Sequence, residues 1–438
     1  MPNDILYTRR DFLRTGLLGG AMTWSAPTFL LSAMNALSAS AADAATQAVT
    51  GRDGPILVVV QLSGGNDGLN TVIPYTNDFY RKARPTLAVP ARDVLALGGD
   101  VGLHPALAGF RSLYDDGLAA VVQGVGYPNP NRSHFRSMEI WHTAVDANRA
   151  SNRGWLGRYF DNACAGSDPT VAINLGKENP QAFAAKIPKG ISYQPERPVA
   201  FEDPLGGLGM AAAAEDEAAG GSITTLRGGG GTEQVDALDF IERTALHAQV
   251  SSDQIGRISK AYTPRETFPN SGLGRDLRTV AQLIGGGMPT RIYYVSLGGF
   301  DTHANQAGSH RNLLATLGDA VRVFMAEMKR QDNLDRVLLL TFSEFGRRVD
   351  ENAGQGTDHG AAAPCFLFGG AIKPGLHGTA PSLDPSRLVD GDLAFTTDFR
   401  ALYASLLDHH LRADSATILG RRFDPLPVFR DQPERMRS

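Results

Sequence analysis

Two short apolar runs, separated by one stretch with helical spacing, constrain this chain more than any other feature. Residues 291–297 read Arg-Ile-Tyr-Tyr-Val-Ser-Leu and residues 337–342 read Val-Leu-Leu-Leu-Thr-Phe. Both are rich in β-branched and aromatic residues and bounded by turn residues, so both are predicted to be buried strands. Between them, Leu313, Leu314, Leu317, Val321, Phe324, Met325 and Met328 recur at helical spacing over 308–330. Strand, helix, strand within one sheet means a parallel, right-handed crossover. A third run, residues 55–62 (Pro-Ile-Leu-Val-Val-Val-Gln-Leu), is apolar throughout, as a strand covered on both faces must be, and is the expected central strand.

Each run feeds directly into polar side chains. The first strand leads to Ser63-Gly64-Gly65-Asn66-Asp67, the second to Gly298-Gly299-Phe300-Asp301-Thr302-His303, and the third to Ser343-Glu344, with Asp358-His359 in the loop beyond. In open parallel sheets ligands sit just past the carboxyl ends of the strands. Asp67, Asp301, His303, Glu344, Asp358 and His359 are therefore the candidate metal ligands. Mixed nitrogen and oxygen donors suit Zn²⁺, Mn²⁺ or Fe, and a carboxylate-rich subset suits Mg²⁺ or Ca²⁺. One or two ions are expected, and a pair would clamp both oxygens of a phosphoryl or sulfuryl transfer. The alternative is a turn in which Asn66 and Asp67 supply only turn chemistry.

A further expected strand, residues 118–123, runs into Arg132-Ser133-His134-Phe135 and a helix through Thr143. Ser133 at that helix start would lie where free N–H groups favour an anion, placed to act as a nucleophile; it could also be an ordinary N-cap. His134 and Arg348 complete the catalytic candidates, with Arg132 and Arg347 also near enough in sequence to meet a tetrahedral anion. His134 and His142 could instead be surface or supporting residues. His409 and His410 are adjacent, and neighbouring helical side chains diverge, so both are expected at the surface.

Net charge is −4 with a pI near 6.2, and no basic patch suggests nucleic acid. Two cysteines, Cys164 and Cys365, are too few for a disulfide framework; one bridge or two buried thiols both remain open. At the N-terminus, Arg9-Arg10 precedes a moderately apolar stretch and a run of small residues. This reads as a twin-arginine export signal over 1–44, implying the translocase as a partner and a periplasmic or extracellular location. The mature domain is expected over 45–438, interrupted around 187–234 by a Pro-, Gly- and Ala-rich insertion. Residues 235–262 then return to helical spacing.

The motifs Gly-Gly-Asn-Asp-Gly-Leu-Asn, Arg-Ser-His-Phe, Gly-Phe-Asp-Thr-His, Ser-Glu-Phe-Gly-Arg and Gly-Thr-Asp-His-Gly occur in that order from Gly64 to Gly360. Together they resemble the bacterial exported family catalogued as domain of unknown function 1501, which is similar to the alkaline-phosphatase-like superfamily of phosphatases and sulfatases. The resemblance implies a three-layer α/β/α sandwich with a mostly parallel central sheet and a dinuclear metal site. It implies that Asp67 is the first-strand metal carboxylate, that Asp301, His303 and His359 share one metal, and that Ser133 lies where the nucleophile is expected. Glu344 falls at the position of an Asp-His pair, but Phe345 follows it. The implied activity is metal-dependent hydrolysis of a small anionic ester, phosphate or sulfate. The alternative is a non-catalytic metal-binding protein that works with an exported protein partner.

Overall fold

The computed structural model describes residues 54–194 and 253–430. The expected export signal, residues 195–234 of the expected insertion, and residues 235–252 of the expected helix after it lie outside the described residues.

The chain opens with β1 (Ile56–Ser63), followed by β2 (Val72–Ile73), helix α1 (Asp78–Ala83), β3 (Leu95–Gly98) and β4 (Val101–Leu103). Helix α2 (Ala108–Asp115) leads into β5 (Ala119–Gly126), and α3 (His134–Thr143) and α4 (Trp155–Ala163) precede the short strands β6 (Ala172–Asn174) and β7 (Ile191–Ser192). Next come α5 (Gly272–Gly285), β8 (Ile292–Gly298), α6 (Gln306–Arg330) and β9 (Val337–Phe342). The chain ends with β10 (Ala363–Phe368), β11 (Gly375–His377), β12 (Thr397–Asp398), α7 (Phe399–Ser405) and α8 (Ser415–Leu419).

The main sheet has the order β11-β5-β10-β9-β1-β8-β6-β7, with β12 also paired to β5. β1 pairs in parallel with both β8 and β9, as expected of a central strand. β10 is antiparallel to both its neighbours, β5 and β9, in an otherwise parallel sheet. A small second sheet, β2-β4-β3, lies apart.

Alternation along the strands divides the core into two layers. Ile56, Val58, Val60, Leu339 and Val295 face one cluster with Phe110 of α2, Leu277 and Ile284 of α5, and Leu317, Phe324 and Met328 of α6. Leu57, Val59, Leu340 and Ile292 face the other with Trp141 of α3, Trp155 and Phe160 of α4, and Tyr403 of α7. Helices thus cover both faces, which makes a three-layer α/β/α sandwich. Both thiols are buried and unbridged in this second layer. No helix among the described residues is long and apolar enough to cross a membrane.

His410 departs from expectation. A π-helical turn over Leu406–His410 follows α7, and the wider turn brings the ring inward, where it is 5% exposed and its Nε2 donates to the Ile56 carbonyl at 2.9 Å. It joins His104, His142 and His310 as buried imidazoles, each pushed down to about 4 by burial. These rings are neutral in the fold, so an unfolded chain binds protons below pH ~6.5 that the folded chain refuses. The stability they confer is complete above that pH and is lost as pH falls toward about 4. At pH ~5 each costs about 2 kcal/mol relative to neutrality. The urea midpoint should fall steeply between pH 7.5 and 5; a flat profile would contradict this reading.

Candidate metal centre

Past the carboxyl end of β1 the chain turns through Gly64 and Gly65, with φ of +117° and +79°. Neither position has room for a side chain. A Cβ at Gly64 would stand 2.5 Å from the Asp301 amide nitrogen, and one at Gly65 would stand 2.4 Å from the Phe345 ring. This is how the loops after β1, β8 and β9 close on one another. Arg347 pins them. It is 1% exposed, and its guanidinium donates to the carbonyls of Gly64, Gly65 (2.7 Å), Phe300 (2.9 Å) and Thr357 (2.8 Å) and to Asp301 Oδ1 (2.7 Å). Sequence placed Arg347 among residues that could meet a tetrahedral anion. Its donors are instead spent on the backbone and on Asp301.

Asp301 is the hub. Its Oδ1 lies 2.9 Å from His303 Nε2 and 3.1 Å from His359 Nε2, and its Oδ2 lies 3.4 Å from His134 Nε2. The two rings of His303 and His359 face each other, Nε2 to Nε2, at 3.0 Å. His359 reaches this place because residues 346–348 and 358–361 run antiparallel, with His359 bridged to Arg347, so both side chains point toward Asp301. Burial would raise the Asp301 carboxyl, but the Arg347 hydrogen bond and the Arg347 charge outweigh it and hold it at about 2.

Every imidazole in the cluster is also held from behind. His134 Nδ1 donates to Glu344 Oε1 at 2.9 Å, His303 Nδ1 donates to Asp358 Oδ1 at 3.1 Å, and His359 Nδ1 donates to the Arg132 carbonyl at 2.8 Å. With each Nδ1 carrying a proton, an imidazole in its neutral form turns a bare Nε2 lone pair into the cluster. Lone pairs facing a carboxylate and one another repel. A proton relieves one contact, but two protons cannot fit between nitrogens 3.0 Å apart. One divalent cation relieves them all. Donors around such an ion stand about 3.3 Å apart at ordinary Zn–N and Zn–O lengths, close to the separations observed. Donors of His134, Asp301 and His359 lie within 4.8 Å of one another, the one such group found among the described residues. His303 falls outside that group, though its Nε2 stands 2.9 Å from Asp301 Oδ1 and 3.0 Å from His359 Nε2; imidazoles with a carboxylate fit a Zn²⁺, Mn²⁺ or Fe ion better than Mg²⁺ or Ca²⁺.

The structure thus brings together Asp301, His303 and His359 as expected, and adds His134, which sequence assigned to catalysis. Glu344 and Asp358 take a different position from that expected. They sit behind His134 and His303 as hydrogen-bond acceptors, an arrangement that sets ring orientation and tautomer. Glu344 is 2% exposed, and its Oε1 also accepts from the Gly64 amide at 2.8 Å. Phe345, standing where a second histidine was looked for, packs its ring 4.9 Å from His134 and 4.7 Å from His359. It is a wall for the imidazoles.

Asp67 is not in the cluster. It is buried in an ion pair with Arg84 at 2.6 Å, and it accepts from Gln306 and from the Asn70 amide. Burial would raise its carboxyl, but the Arg84 charge and hydrogen bond pull it below the ordinary value. Sequence reasoning missed this partner, as it missed Gln306 and His310, which bonds Asn66 Oδ1 at 3.0 Å. With Arg84 on its carboxylate, Asp67 is not presented to the histidine cluster. Ser133 is the N-cap residue of α3 and is exposed, but its hydroxyl makes no capping bond. Arg348 is half-exposed and lies 3.9 Å from Asp392.

The fold and this cluster define the class: a three-layer α/β/α protein with a histidine–aspartate centre past the carboxyl ends of its parallel strands. Residues 279–419, which hold Asp301, His303, Glu344, Asp358 and His359, match the family described as "Protein of unknown function (DUF1501)", the family whose motifs the sequence resembles. No curated protein matches the chain. Among solved structures, a sulfatase from Pseudoalteromonas sp. is similar at 10% identity, over 82% of this chain and 70% of that one, with a TM-score of 0.35. The phosphonate monoester hydrolase of Agrobacterium radiobacter is similar at 10% identity, over 86% and 79%, with a TM-score of 0.34. A protein in the alkaline phosphatase superfamily from Vibrio parahaemolyticus is similar at 10% identity, over 75% and 63%, with a TM-score of 0.32.

Proposed function

We propose that this protein is an exported metal-dependent hydrolase of phosphate or sulfate esters, with one divalent ion held by His134, Asp301, His303 and His359. The observation that carries this reading is the convergence of three Nε2 atoms on Asp301 while every Nδ1 is engaged behind. When bound, such an ion supplies Lewis acidity and a water acidified toward neutral pH. The chain's own residues do the rest. Arg347 fixes the orientation of Asp301 and balances its charge. The Ser133 hydroxyl, free of capping and exposed, is the candidate nucleophile beside His134, and the N-terminal N–H groups of α3 favour an anion there. Arg348 is the rim cation for the ester's charge, its guanidinium touching Asp392 only at 3.9 Å. Arg9 and Arg10 carry the export reading, with the twin-arginine translocase as partner and the periplasm or exterior as destination.

A second reading is a non-catalytic metal-binding protein that serves an exported protein partner. One observation favours it: two of the three candidate anion-binding arginines, Arg132 and Arg347, are already committed to internal partners.

Protein purified after native export should be assayed for metal content and for hydrolysis of aryl phosphate and aryl sulfate. The first reading expects Ser133→Ala to keep its metal and lose turnover. Full metal with no turnover on either ester would shift the assignment to the second reading. No metal and no turnover would sink both.

A further inference from the structure

His359 differs from the other two imidazoles in what stands behind it. His134 and His303 lean on carboxylates, whereas His359 leans on a peptide carbonyl, that of Arg132. A carbonyl in a loop is only as well placed as the loop. Here the loop turns through Asn129 at a φ of +56°, and the Asn131 amide donates to the Tyr127 hydroxyl at 3.1 Å. The strongest tie is the Arg132 side chain. Its Nε and Nη2 both donate to Asp392 Oδ2, at 2.8 and 2.7 Å, and Nη2 also reaches the Asp390 carbonyl at 3.3 Å.

Asp392 is itself rigidly held. It closes a tight turn in which the amides and carbonyls of Val389 and Asp392 pair at 3.0 and 2.9 Å, with φ positive at Asp390 (+53°) and Gly391 (+82°). Its side chain is 3% exposed; its Oδ1 makes no hydrogen bond and meets the Arg348 guanidinium only at 3.9 Å. A buried carboxylate is unfavourable unless it is paired, and the short pairing here is made by Oδ2 with Arg132. That pairing fixes Arg132.

We infer that Asp392, acting through Arg132, is a positioning residue that sets the tautomer and aim of His359. This rests on the reading of His359 as a metal-holding residue. The turn around Asp392 and the loop around Arg132 are far apart in the chain, and together they keep one carbonyl where the His359 Nδ1 proton needs it.

The test measures Zn²⁺ affinity by chelator competition in Asp392→Ala, Arg132→Met and the double variant. Each single variant should bind about 10–100-fold more weakly. The double should be no weaker than either, because both act through one carbonyl. Nitrogen NMR of the metal-free protein supplies a readout that a merely structural role would not move: Nδ1–H at His359 in the parent, and mixed tautomers in Asp392→Ala. Should the alanine variant not fold, Asp392→Asn, which keeps an acceptor but loses the charge, takes its place. A folded variant with parental Zn²⁺ affinity and an unchanged His359 tautomer would overturn the inference. If the parent itself takes no Zn²⁺, the metal reading fails, while the tautomer comparison still decides for or against the clamp.

Discussion

Asp301→Asn and His359→Ala are each expected to lose more than about 100-fold in Zn²⁺ or Mn²⁺ affinity, beyond the range seen when a supporting residue alone is removed. Asp301 meets all three imidazoles and Arg347, so removing its charge strips the cluster of its one anionic donor. Asparagine is preferred to alanine because it leaves an oxygen for the buried Arg347 guanidinium and separates metal loss from misfolding. His359→Ala removes one of two nitrogens that face each other at 3.0 Å. Metal per folded molecule, measured by elemental analysis after dialysis against a weak chelator, is the readout. An Asp301→Asn protein that keeps its full load would show that the centre lies elsewhere.

Arg84→Met is expected to destabilise the protein by about 3–5 kcal/mol, the range for removing one partner of a buried ion pair. The partner left behind, Asp67, is buried and would carry an uncompensated charge. Arg84 also donates to the Val349 and Arg348 carbonyls, at 2.9 Å each, and these would lose their partner too. The folded fraction of the variant should bind metal normally, because Asp67 stands outside the cluster. Denaturant midpoints give the first quantity and metal per folded molecule gives the second. A variant as stable as the parent would mean that Asp67 is not tied to Arg84. A stable variant that had lost its metal would restore Asp67 to the site.

The contrast between these two carboxylates shows how far the sequence could be read. The runs at 55–62, 291–297 and 337–342 announced β1, β8 and β9 to within a residue or so, because a strand covered on both faces must be apolar throughout. The loops after them were correctly expected to meet, since parallel strands deliver their carboxyl ends to one rim. Yet Asp67 and Asp301 look alike in sequence, each following a strand and a glycine pair. One meets Arg84 beneath the rim and the other meets three imidazoles above it. Glu344 and Asp358 were expected among the ligands; the structure has each facing the Nδ1 of a ring instead of the Nε2 atoms, a distinction that no periodicity encodes. His134 was expected to act in catalysis; its place among the rings around Asp301 depends on α3 bringing it to Asp301 after β8 and Glu344 after β9.

By itself, then, the sequence determined the layered fold, its central strand and the rim where polar groups gather, because burial is recorded residue by residue as hydrophobic pattern. Only the tertiary structure decided which acid faces an arginine, which faces an imidazole's back and which sits at the hub. Those roles are set by partners far away along the chain, and a charge has no fixed chemistry until its partner is in place.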